Sequence, residues 1–274
     1  MLYEGGERVD SIMEAKGVSK YFGGLKAVDD IDMSVHKGDI LGIIGPNGAG
    51  KTTFFNVITN IVPPTKGSIY YKGHRISNQP SNKIAALGIA RTFQHIQLFK
   101  FMSVLENVKA GFHTGTKTGV FDAILHTKRY KNDELMITEK AMEILDRVEI
   151  KQYQDTMAGT LPYGLQRKVE IARTLALAPE ILLLDEPVAG MNTQETNAMM
   201  DFIRMINASG ITVVVIEHDM RFVMNTCNRL IVLNFGKKIC EGDPAYVRND
   251  AAVNEAYFGK GIAIRGVRNN AESQ

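Results

Sequence analysis

Three uninterrupted apolar runs stand out along the chain: ILGII at 40–44, ILLL at 181–184 and ITVVVI at 211–216. Runs of this kind suit strands buried on both faces of a parallel sheet, whereas half-buried strands alternate apolar with polar positions. Alternation of the second kind appears between about Ser11 and Gly42, where Ile31, Met33 and Val35 interleave with Asp30, Asp32 and Ser34. Antiparallel strands are therefore expected there, and IYYKGHRI at 69–76 adds a further strand and turn at an edge. From Leu98 to about Leu161 the pattern becomes helical, with an apolar stripe at Ala141, Met142, Leu145 and Val148 between charged residues. A second helix is expected within Leu161–Leu177, where Val169, Ala172, Leu175 and Ala176 follow a Pro-Tyr-Gly opening at helical spacing.

The polar residues that interrupt this pattern carry the chemistry. The first apolar run leads into GPNGAGKTT, Gly45 to Thr53, which fills every fixed position of the phosphate-loop motif with Gly45, Gly50, Lys51 and Thr52. Glycines let backbone N–H groups approach phosphate oxygens, a helix starting near Lys51 adds its positive end, and Lys51 brings a full charge. Asn47, Gly48 and Thr53 complete the candidate phosphate ligands, and the Thr52 hydroxyl is expected on Mg²⁺. The neighbouring edge strands are expected to flank the nucleotide. The second run ends in Asp185 and Glu186, carboxylates at the C-terminal end of a buried strand, where open α/β sheets bind ligands. Asp185 is expected to hold Mg²⁺ through water. Glu186, one residue further along an extended segment, points differently and is placed to polarise the water that attacks the γ-phosphate.

The segment just before that strand, LPYGLQRKVEIARTLAL, resembles the region that distinguishes ATP-binding cassette (ABC) ATPases. In that family a signature written L-S-G-G-Q precedes a helix and contacts the γ-phosphate of an ATP held by the opposite protomer. Leu161 and Gly164 match it; Pro162, Tyr163 and Leu165 replace Ser, Gly and Gln, so the serine hydroxyl contact is absent. Proline is tolerated in a first helical turn, and exposed N–H groups near Gly164 still present a partial positive charge. The resemblance implies further roles. Gln94 takes the place of the glutamine that meets Mg²⁺ and shifts with a membrane partner, and His218 that of the histidine bonded to the γ-phosphate. The segment from Ala189 to Asn192 takes the place of the D-loop, with Asn192 where Asp is commoner. Phe22, or alternatively Tyr21, occupies the position of the aromatic residue stacked on adenine. These elements appear in the family's order along the chain.

The implied fold is α/β, a P-loop NTPase of the ABC nucleotide-binding type. It has a mostly parallel core sheet, an N-terminal antiparallel β subdomain and an inserted helical subdomain at about 98–177. The domain is expected over 11–259, between loosely ordered tails at 1–10 and 260–274. YFGGLKAVDDI, RTFQHIQLF, MSVLENV, IEHDM and EGDPAYVRNDAAVNEAYFG sharpen the resemblance to the ATPase subunits of branched-chain amino-acid importers, as does the insert KTGVFDAILHTKRYKNDE. It implies an ATPase with ATP and Mg²⁺, peripheral on the cytoplasmic face of the cell membrane. Integral-membrane permeases and a second ATPase, identical or different, would be its partners, with a substrate-binding protein indirectly involved. Leu, Ile or Val is the implied cargo; urea, another amide or another amino acid is the alternative, and a soluble non-transport ABC ATPase the more distant one. Phe99, Phe101 and Met102 fall where the family receives a cytoplasmic helix of the permease, and either that docking or internal packing accounts for them.

Composition narrows the picture little further. The chain has 274 residues, is 45% hydrophobic and carries a net charge of +2, so one large domain is expected, with no basic block for nucleic acid. Its two cysteines, Cys227 and Cys240, have neither metal-ligand spacing nor a disulfide framework, which suits a reducing cytosol. The first residues contain acidic groups and no apolar core of a secretory signal, and no apolar run approaches membrane-spanning length. A guanine-reading N-K-x-D, which a GTPase would need, is missing downstream of the phosphate loop, and neither a coiled coil nor a second cassette marks a soluble ABC ATPase.

Overall fold

The computed structural model describes residues 11–112 and 128–258. Both expected tails and the first part of the insert at 117–134 lie outside the described residues. Strands β1 (Ser11–Phe22), β2 (Leu25–His36), β4 (Lys66–Tyr71) and β5 (His74–Arg75) form an antiparallel sheet in the order β2-β1-β4-β5. Among the described residues, β2 and β5 are its edges. The expectation that IYYKGHRI lies wholly at an edge is thus corrected: β4 is hydrogen-bonded on both sides, and only the short hairpin partner β5 is free.

The second sheet has the order β10-β9-β3-β8-β7-β6, from β3 (Ile40–Ile44), β6 (Ile89–Arg91), β7 (Ile181–Asp185), β8 (Thr212–Ile216), β9 (Arg229–Asn234) and β10 (Lys237–Gly242). Its pairings are parallel except for the β9–β10 hairpin. The continuous apolar runs follow from burial on both faces. In β7, Ile181 and Leu183 enter a core shared with β1, β2, β4 and the helix after β3, while Leu182 and Leu184 enter a second core with the remaining helices. The period-2 alternation of a strand is present but joins two apolar environments rather than an apolar and a wet one.

Helices α1 (Lys51–Ile58), α2 (Ser81–Ala86), α3 (Val104–Phe112), α4 (Lys128–Arg147) and α5 (Tyr163–Leu175) are followed by α6 (Thr193–Ala208), α7 (Met220–Thr226), α8 (Pro244–Asn249) and α9 (Ala251–Phe258). The stripe packs as its spacing requires, with Ala141 and Leu145 on α4 and Val148 just past its end buried beside α3 and α5. On α5, Val169, Ala172, Leu175 and Ala176 face the same core. Pro162 is not in the first turn of α5 but just ahead of it, as the N-cap with φ −53° and ψ 150°, because extended backbone leads into the helix there.

Candidate functional site

The phosphate loop links β3 to α1, and its glycines serve two purposes. A Cβ on Gly45 would lie 2.1 Å from the Leu233 carbonyl oxygen, and one on Gly50, 2.2 Å from that of Ala27. Both glycines are required by the close approach of neighbouring backbone. Gly48, at φ +79°, has nothing within 4 Å of its absent Cβ, so the space it leaves faces the cavity. Gly50, at φ 99°, is the N-cap of α1 and supplies no side chain to satisfy the helix's first N–H groups, which remain available to an anion.

A cavity of about 440 Å³ opens over this loop, lined by Leu25, Lys26, Ala27, Asn47 through Thr53, Glu186 and Phe235. Lys51 is only 7% exposed and donates to the carbonyl oxygens of Gly45 at 2.7 Å and Pro46 at 3.0 Å. Burial pushes its ammonium down from the usual lysine range, against the charges of Glu186, Glu217 and Asp185, which pull it back up.

Glu186 does not continue the strand. Its φ is 47°, a left-handed conformation costing on the order of 1 kcal/mol in a residue with a side chain, and its N–H bonds to the Ile216 carbonyl at 3.0 Å. The expectation of an extended segment is corrected: the chain turns out of β7 at Glu186, and this turn rather than strand alternation sets it apart from Asp185. The Gln94 amide nitrogen donates to Glu186 at 3.0 Å, and His218 Nδ1 lies 3.9 Å from the other carboxylate oxygen. Three residues separated widely in sequence thus meet around one carboxylate.

Asp185 is buried and accepts from Arg91 at 2.7 Å. Arg91 also donates to Asn56 and Thr59, tying the end of β6 to α1. The Thr52 hydroxyl, one Asp185 oxygen and the Gln94 amide oxygen are hard donors of the type Mg²⁺ takes. Among the described residues no group of three or more His, Cys, Asp or Glu side chains could hold a metal ion. That donor set fits a cation shared with phosphate oxygens, not a cage of protein ligands.

Other expected residues lie further off. Phe22 is 49% exposed at the end of β1 with Lys20 over its ring, whereas the Tyr21 hydroxyl is engaged by Asp29 at 2.9 Å. Phe22 is outside the cavity lining, whose apolar rim is Leu25 and Phe235. Leu161 and Gly164 stand apart from this cavity at the start of α5. The Leu161 side chain is packed into the helical core, 7% exposed, where it anchors the start of α5. Gly164 faces Glu195, whose side-chain atoms lie 3.6–3.9 Å from where its Cβ would be. Asn192 caps α6 in a reciprocal capping box with Glu195.

Sequence reasoning missed four residues. Arg91 gave no signal, because its partner is 94 positions away. Glu217 is fully buried, accepting from the N–H groups of Val188, His218 and Asp219; burial nonetheless pushes its carboxyl above the usual range. Arg167 is fully buried in α5. Phe235 is 85% exposed at the β9–β10 turn, and its position following Asn and preceding Gly was the available signal.

A second cavity, of about 460 Å³, lies behind Gln94 and is lined by Arg91, Gln97, Leu98, Phe99, Ala110, Gly111, Arg173, Thr174 and Leu177. Phe99 is 52% and Phe101 93% exposed, so internal packing does not account for this aromatic pair.

Residues 28–189 match the family described as ABC transporter. The chain is 38% identical over 250 residues to the high-affinity branched-chain amino acid transport ATP-binding protein LivG of Escherichia coli K12, covering 91% of this chain and 98% of that one. It has the same identity and coverage with BraF of Pseudomonas aeruginosa, which carries the same description. Among solved structures, it is similar to the ADP conformation of MJ1267, an ATP-binding cassette of an ABC transporter. The TM-score is 0.80 and the identity 35%, over 92% of this chain and all of that one.

Proposed function

Since the chain belongs to the ABC transporter family and is its ATP-hydrolysing component, we propose that it powers a membrane importer of branched-chain amino acids. The observation that carries the catalytic part is the grouping of Gln94 and His218 around Glu186, which lines the same cavity as Lys51 and Thr52. The likeness to LivG and BraF along nearly the whole chain supports the cargo.

In this reading the phosphate loop and the start of α1 hold the triphosphate, and Lys51 exchanges two carbonyl partners for phosphate oxygens. Thr52, Asp185 and Gln94 would hold Mg²⁺, which would neutralise charge on the outer phosphates. Glu186 orients the attacking water and takes its proton at a carboxylate oxygen, and His218 meets the γ-phosphate. Gly164 on α5 serves the ATP of a second cassette, which is why it stands away from the chain's own cavity. Phe22 is the adenine platform in preference to Tyr21, whose hydroxyl is already committed to Asp29.

No helix among the described residues is long and apolar enough to cross a membrane. Permease subunits supply the spans, and the groove beside Phe99 and Phe101 receives one of their cytoplasmic helices. The chain then lies peripherally on the cytoplasmic face. The test is to isolate the tagged chain from gently solubilised membranes and reconstitute what accompanies it, beside a Glu186→Gln control. Two permeases, a second ATPase and ATP-driven uptake of labelled leucine are expected, with ATP binding retained but uptake lost in the control. Soluble partners alone would refute the transport reading; uptake undiminished by Glu186→Gln would refute the role of that carboxylate.

A further inference from the structure

The loop that carries Gln94 is held in an unusual way. Thr92 still bonds to the sheet through the Leu183 carbonyl, but from Phe93 to Leu98 the backbone makes no hydrogen bond to other backbone among the described residues. Its backbone partners are side chains of α5. Arg167 donates to the carbonyl oxygens of Phe93 and Gln94, each at 2.8 Å; Glu170 accepts the Gln97 N–H at 3.0 Å; and Arg173 donates to the Gln97 carbonyl. Positions 167, 170 and 173 recur every three residues, so they share one helix face. Arg167 and Glu170 also pair with each other at 2.7 Å with side chains 0% and 2% exposed, and Arg167 reaches toward the Glu186 carbonyl at 3.5 Å.

We propose that Arg167, Glu170 and Arg173 are positioning residues that join the Gln94 loop to α5 as one moving body. A displacement of Gln94 then becomes a displacement of the helix start at Tyr163 and Gly164, and the reverse. The physical reason is the burial of the joint. Sliding the loop off the helix would break the bonds to Phe93, Gln94 and Gln97 and leave the buried Arg167 and Glu170 with little beyond each other to compensate their burial. Moving loop and helix together breaks none of these bonds. Arg173 extends the connection outward, since it also lies over the Phe99 ring and lines the groove behind Gln94.

The kinetic half of the test rests on the ATPase reading; the exchange half does not. In Arg167→Met/Glu170→Met the buried pair gives way to apolar side chains of similar length, a replacement that interiors commonly tolerate. Amide hydrogen exchange is measured across the chain, with and without ATP, alongside steady-state hydrolysis. The variant should exchange the Gln97 amide at least about tenfold faster and lose about ten- to a hundredfold in kcat, while KM for ATP stays within about twofold, because none of the three residues lines the phosphate cavity. In the wild type, ATP should alter exchange at 93–98 and at the start of α5 together; in the variant the two should separate. Arg167→Lys, which keeps the charge but not the two-pronged grip, should fall between them. An unchanged Gln97 amide, or exchange raised equally throughout the chain with kcat and KM changed together, would overturn the clamp. A wild type that exchanges as expected but hydrolyses no ATP would instead overturn the ATPase reading.

Discussion

Glu217 shows how two opposed influences meet on one side chain. Its carboxylate accepts three backbone N–H groups, from Val188, His218 and Asp219, which favour the ionised form, yet its full burial outweighs them and raises its pKa above 4.5. A carboxyl whose folded pKa is raised contributes its stability below the unfolded pKa and loses it as pH rises through the folded value. Relative to Glu217→Gln, which cannot ionise, the wild type should therefore lose unfolding free energy as pH rises above the ordinary carboxylate range in urea titrations. A difference that grows in favour of the wild type as pH rises would show that the three N–H groups dominate. None of this was legible in the sequence, where Glu217 was only the end of an apolar strand. Lys51, Thr52 and Glu186 were legible because a local motif names them. Arg91 and Arg167 were not, because their partners arrive from segments 94 and about 74 positions away.

At the scale of elements, Asn192 illustrates a signal that was present and unread. It stood out as a departure from the commoner Asp, but with Glu195 three residues on it spells a capping box, and the structure contains both reciprocal bonds at 3.0 Å. The cap fixes the start of α6 beside Gly164. Asn192→Ala should lower stability by about 1 kcal/mol, whereas Asn192→Asp should stay within a few tenths, since both residues cap equally well. Thermal or chemical unfolding of the two variants decides it, and equal losses would mean that the cap does not stabilise α6. The helical stripe on α4 and the apolar face of α5 were read correctly from their period. What the period cannot register is a polar face buried against a loop, as at Arg167 and Glu170, because apolar spacing marks only the residues that avoid water unaided.

For the whole molecule, the two cores on either side of the parallel sheet explain why β3, β7 and β8 read as unbroken apolar runs. The two cysteines test how tightly that packing closes. Burial pushes the Cys227 thiol up to about 12 and the Cys240 thiol up to about 11. At pH 8, well below either value, both stay protonated, so a thiol reagent should modify neither in the folded chain and both after denaturation. Rapid labelling of the native protein would show that these layers open readily.

The three grips on α5 also set a rule for heredity. Substitution at Arg167, Glu170 or Arg173 loosens one contact at a time, but losing or gaining a single residue between Gly164 and Arg167 rotates all three by about 100° relative to the helix start. Either the grips or the glycine would then face the wrong way. Descendants of this chain should accordingly vary in the letters of that short span far more freely than in its length.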